Sequence, residues 1–220
     1  MTDTEETVPA SRTRQKAIRG YVEIAAAYLL AIATIATAYC AWQATRWGGY
    51  QTLLFAEAST ARVESAKMLS IGNMEMTYDA VSFLLYAESI ADEHETLSKA
   101  YEERLLRDEF KVAVDAWRAL DPMNNPDAPS HPLHMNEYVN SSLAEGQAIE
   151  ATAGEKFEEG KAANETADNY ILATVFFASV LFFAGVANKF ENVLIQVASI
   201  ALALVVLGAG FIRVVTLPFM

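Results

Sequence analysis

The chain has 220 residues, of which 53% are hydrophobic, and a formal net charge of −12. That length suits a single domain, and the acidity, concentrated in residues 48–168, argues against nucleic acid and anionic lipid headgroups as partners of that region. Its single cysteine, Cys40, excludes an intramolecular disulfide and says nothing about redox compartment.

Residues 1–20 are polar, lack apolar periodicity and end in Arg12, Arg14, Lys16 and Arg19. They are expected to form a disordered, basic-ended tail. Residues 21–47 follow as a first spanning helix, apolar from Tyr21 to Trp42. This stretch exceeds the 7–15 residue core of a signal peptide, so an uncleaved signal anchor is expected. Bulky Tyr39 before Cys40 argues against a lipoprotein site. Ala27, Ala31, Ala33, Thr37 and Ala41 supply small residues at spacings that let helices approach closely in lipid. They are the candidate helix-packing residues, within one chain or between copies.

Residues 48–168 hold 23 Asp and Glu against 9 Lys and Arg, a local charge of −14. An acidic helical bundle is expected here, continuous with the spans. Gly48-Gly49 suggests a hinge where the chain leaves the membrane, and Gly72-Asn73 a second interruption. Between them Leu53, Leu54, Ala58, Ala61, Met68 and Leu69 recur at near-helical spacing, and Tyr78, Val81, Leu84, Leu85 and Tyr86 resume the apolar stripe. Ala91–Thr96 reads as a turn. An amphipathic helix over 97–120 carries Leu97, Tyr101, Leu105 or Leu106, Phe110, Val114 and Trp117 on one side. Four prolines between 122 and 132 make a stiff extended loop over 121–135. A last polar helix is expected from Asn136, with Glu137 and Tyr138 in its first turn. No alternating Val, Ile and Thr run suggests a strand.

Residues 169–218 close the chain as a hairpin of two apolar runs, about 169–187 and 193–213, joined by a short polar turn. Each run is long enough to cross a hydrocarbon core of ~30 Å, and far too long for a barrel strand. The fold class expected is therefore all-α: an integral membrane protein of three spanning helices with an extramembrane helical bundle. Four basic residues precede the first span, while Arg46 alone lies close to its far end. The positive-inside rule then puts the N-terminus in the cytoplasm and residues 48–168 outside. Trp42, Trp47, Tyr50 and Tyr170 suit an aromatic belt on the outer side.

Chemistry-bearing patterns are sparse. His131 and His134, with Asp127 and Glu137 nearby, are weak metal candidates, because Pro132 spoils helical presentation and no second ligand pair is evident. Nucleophile-elbow, P-loop, HExxH and dinucleotide-fingerprint motifs are missing, so no catalytic residue and no cofactor are expected. Glu23, Glu191, Gln196 and Arg213 lie near span ends, away from a midplane, and form no charge ladder of the kind a pump requires.

Residues 42–47 (WQATRW) followed by Ala56, Ala58, Ser59 and Arg62, residues 116–122 (AWRALDP), the proline loop to Pro132 and residues 167–170 (ADNY) together form a pattern. In it the chain resembles a family of uncharacterised bacterial three-span integral membrane proteins. The resemblance implies an inner-membrane layout over residues 21–218 and no chemistry. The function expected is a non-enzymatic scaffold or accessory subunit acting through the extramembrane bundle. The alternative is a homo-oligomeric, cation-attracting channel lined by the first span. The lipid bilayer, and self-association or another membrane protein, are the partners expected.

Overall fold

The computed structural model describes residues 10–220. Its elements are α1 (Ala10–Ala91), α2 (Glu95–Arg104), α3 (Asp108–Ala119), a 3-10 turn (Pro132–His134), α4 (Ser141–Ala187) and α5 (Val193–Val215). No strand occurs among the described residues. Three helices are long and apolar enough to cross a membrane: α1, α4 and α5.

The chain divides into two compact units, Met1–Leu54 with Glu158–Met220, and Phe55–Phe157. Both α1 and α4 contribute residues to each unit. The packing units meet at 54/55 and 157/158.

In the first unit, α1, α4 and α5 interlock along narrow rows. Val22, Ala26, Leu29, Ala33, Cys40 and Gln43 of α1 are buried, spaced on alternating steps of three and four with half-buried Ala36 completing the series. They meet Ala173, Phe177, Val180, Ala184 and Ala187 of α4, and Ile200, Ala203 and Leu207 of α5. Such a 3.5-residue period keeps one seam facing its neighbours, as in coiled coils. One end of the unit is tied by an Arg19 guanidinium donating to the Glu191 carbonyl in the α4–α5 turn. There Asn192 caps α5 by accepting from Leu194 N at 2.9 Å, and Gln196 Nε2 donates to the Phe190 carbonyl at 2.7 Å. At the other end Trp47 and Tyr170 both donate to the Pro218 carbonyl, and buried Gln43 bonds the backbone N–H and C=O of Met220.

In the second unit α1 and α4 run antiparallel: the Phe55 and Phe157 rings meet at a tilt with centroids 5.3 Å apart, and Ser65 donates to the Gly146 carbonyl. A Cβ on Gly72 would lie 2.8 Å from the Leu143 backbone nitrogen, and one on Gly146 would lie 3.0 Å from that of Leu69. These two glycines permit the close approach. Phe83, Tyr86, Leu106, Phe110, Ala113 and Val114 form the apolar core beside them.

Several sequence expectations are corrected here. Helix α1 begins at Ala10, so residues 10–20 extend the first span instead of forming a tail, because adding turns to an existing helix costs little. The disorder expected for residues 1–9 lies outside the described residues. No hinge occurs at Gly48-Gly49 or Gly72-Asn73; α1 passes through both. Half-buried Trp47 and buried Leu54, seven residues apart, hold the packed face across the first pair. The helix expected over 97–120 is two helices, broken at Leu105–Arg107, where Asp108 and Glu109 supply a favourable acidic first turn to α3. The last helix begins at Ser141 because Asn140 caps it, accepting from Leu143 N at 2.9 Å while donating to the Gly72 carbonyl.

Candidate functional site

The break at 105–107 delivers Arg107 to a carboxylate in the second unit. Asp79 of α1 is completely buried and binds Arg107 bidentately: Nε to Oδ1 at 3.0 Å and Nη2 to Oδ2 at 2.9 Å. Tyr138 donates its hydroxyl to Oδ2 at 3.1 Å. Glu75 and Glu109 approach the Arg107 Nη1 at 3.4 and 3.7 Å. The hydrogen bond to Asp79 raises the guanidinium's affinity for its proton above the ordinary value. Burial, with the Asp79 carboxylate as a lesser cause, pushes the Tyr138 phenol up. Ser141 bonds Glu109 and lowers that acid. With both carboxylate oxygens bonded to donors, Asp79 is a fixed strut joining α1, α3 and the approach to α4. Sequence reading missed this centre. The available signals were Asp79 interrupting an apolar stripe and Arg107-Asp108-Glu109 as a helix start.

The two histidine candidates part company. His131 is half-buried between aromatic rings, 4.5 Å edge-on from Phe83 and stacked at 6.3 Å on Phe110. Its Nδ1 accepts from Leu133 N at 3.1 Å, so that nitrogen is already used. Burial lowers its pKa, with His134 adding a smaller effect. His134 is exposed. Among the described residues no three His, Cys, Asp or Glu side chains are grouped to hold a metal ion. Trp117 donates to the Pro129 carbonyl and anchors the same loop.

The helix-packing candidates divide as well. Ala33 is fully buried against α4 and α5, and Thr37 is half-buried with its hydroxyl bonded to the Ala33 carbonyl. Ala27, Ala31 and Ala41 are exposed, and with Thr34, Ala38 and Thr45 they form a row of small side chains on an unoccupied face of α1. A shift of one residue turns a side chain by 100° about the helix, and that separates the buried Ala26 row from the exposed Ala27 row.

In the second unit α1 buries polar side chains beside the apolar Ala58, Phe83 and Tyr86. Its packed row includes Ser65, Gly72, Asp79, Ser82 and Ser89. Its outward face carries Val63 at 70% exposure, Met74 at 70%, Val81 at 53% and Leu84 at 64%, with Tyr78 and Leu85 beside them. Of the expected stripe from Tyr78 to Tyr86, only Tyr86 turns inward; Tyr78, Val81, Leu84 and Leu85 face out. From Met74 to Leu85 this outward side is mainly apolar, while exposed Lys67 and Ser70 separate it from Val63.

No family model, curated protein or solved structure matches the chain.

Proposed function

We propose that the chain is a non-enzymatic integral membrane protein that serves as a scaffold or accessory subunit, docking through the outward apolar face of α1 between Met74 and Leu85. The apolar side chains exposed on that face carry the proposal. Beside inward Phe83 and Tyr86, the helix turns Ser and Asp inward and Val, Met and Leu outward, which leaves apolar surface for a partner. Embedding is supported by three sufficiently long apolar helices. The orientation proposed is a cytoplasmic N-terminus with residues 48–168 extracytoplasmic in a bacterial inner membrane. The positive-inside bias supports it, as does the Arg19–Glu191 tie, which brings the basic end of the first span to the α4–α5 turn.

The test is the native mass of the nanodisc-extracted protein with its co-purifying chains identified. The scaffold proposal expects a stoichiometric foreign chain, released by Met74→Glu with Leu84→Glu while helicity is unchanged. A preparation holding this chain alone, with a mass unmoved by the double variant, refutes it. The exposed row of Ala27, Ala31, Thr34, Ala38, Ala41 and Thr45 supports a second proposal, a homo-oligomeric cation channel. It expects a discrete homo-oligomer and a bilayer current altered by Ala31→Leu. Silent bilayers refute it.

A further inference from the structure

From the first unit we infer a phospholipid site: an apolar groove between α1 and α5 that takes an acyl chain, topped by a guanidinium that takes an anionic headgroup. The inference rests on the membrane embedding proposed above. The groove encloses about 450 Å³ and is walled by Ile32, Ile35 and Tyr39 of α1, Phe177 of α4, and Phe211 and Val214 of α5. That volume falls within the range of small-molecule sites. Its lining is almost wholly carbon, so its occupant there is a hydrocarbon.

What lies above the groove specifies the rest of the ligand. The Tyr39 ring contacts the Trp42 ring at 6.1 Å between centroids, and the Arg46 guanidinium lies over Trp42 at 5.4 Å. Ile32, Ile35, Tyr39, Trp42 and Arg46 thus follow one face of α1, apolar, then aromatic, then cationic. No carboxylate among the described residues pairs with Arg46, and it is exposed. A cation without a carboxylate partner, above the groove on the same face of α1, complements a phosphate. At 1.5 Å per residue, Arg46 stands roughly 10 Å above Tyr39 and roughly 21 Å above Ile32. One leaflet measures roughly 20–22 Å from headgroup to midplane. The spacing of cation and groove is that of one lipid molecule.

The experiment reconstitutes the full chain in vesicles of equal parts phosphatidylcholine and phosphatidylglycerol, floats them on a gradient, and counts retained lipids by native mass spectrometry after gentle extraction. The site expects one retained phosphatidylglycerol in preference to phosphatidylcholine. Arg46→Gln is expected to lower that preference about tenfold, and Arg46→Lys to keep most of it. Ile35→Trp, which fills the groove, is expected to reduce retention of both lipids. Val205→Trp, on an exposed face of α5 away from the groove, is expected to change nothing. Equal retention of the two lipids by the unaltered chain, or undiminished preference in Arg46→Gln, overturns the site while leaving the embedding intact. Failure of the chain to float with the vesicles refutes the embedding, and the site with it.

Discussion

Removing the Asp79 carboxylate isolates the strut of the second unit. Asp79→Ala deletes both hydrogen bonds from Arg107 and the one from Tyr138, at 3.0, 2.9 and 3.1 Å. Truncating one partner of a buried ion pair costs about 3–5 kcal/mol, chiefly because the remaining charge loses its compensation. Arg107 keeps 23% side-chain exposure and two more distant carboxylates, Glu75 and Glu109, so the lower end, about 3 kcal/mol, applies. At about 1.4 kcal/mol per factor of ten, local opening becomes roughly a hundredfold more frequent. Hydrogen exchange on the full chain in detergent reads this directly. Amides of 105–115 and 135–145 lose protection, while those of α5 keep theirs. Replacing both partners by Leu is expected to cost less than the two single changes summed, because no unpaired charge remains. An Asp79→Ala protein whose exchange at 105–115 rises less than about threefold would refute the strut.

Two further predictions concern packing and protonation. Gly72→Ala would push a methyl group against the Leu143 backbone nitrogen at 2.8 Å, whereas Gly48 and Gly49 have nothing within 4 Å. The first change is expected to lower the midpoint of thermal unfolding by several degrees, from an overpacking cost of about 1–3 kcal/mol. Gly48→Ala or Gly49→Ala is expected to raise it through about 0.5–1 kcal/mol of helix propensity; equal midpoints for all three would refute the close approach. For His131, burial lowers the folded pKa from 6.5, so the folded loop holds the neutral ring. The unfolded chain therefore binds the extra proton first, and loop stability falls as pH drops through about 6.5 and levels off below the folded value. Exchange at 129–135 is expected to quicken between pH 7.5 and 5, and His131→Phe to remove the part of that change due to this ring. An unchanged pH response in the variant would sink the assignment.

The three apolar helices were legible in the sequence because spanning length and hydropathy are properties of a segment by itself. So was the all-helical class, since runs such as 21–42, 169–187 and 193–213 admit no other satisfied backbone in hydrocarbon. Tertiary structure decided matters of phase and partner. Ala27 and Ala26 are one residue apart and chemically identical, and only the seam with α4 and α5 determines that Ala26 and Ala33 turn inward while Ala27, Ala31 and Ala41 face out. The same holds for Tyr78, Val81, Leu84 and Leu85, whose helical spacing reads as a core row. The Gly72–Gly146 approach and the Asp79–Arg107 pair claim the opposite side of α1 for the interior and leave those side chains outside. His131 and His134 looked equivalent in sequence until Phe83 and Phe110 enclosed one of them. Periodicity states that a helix has two faces; which face is buried depends on the surface brought against it.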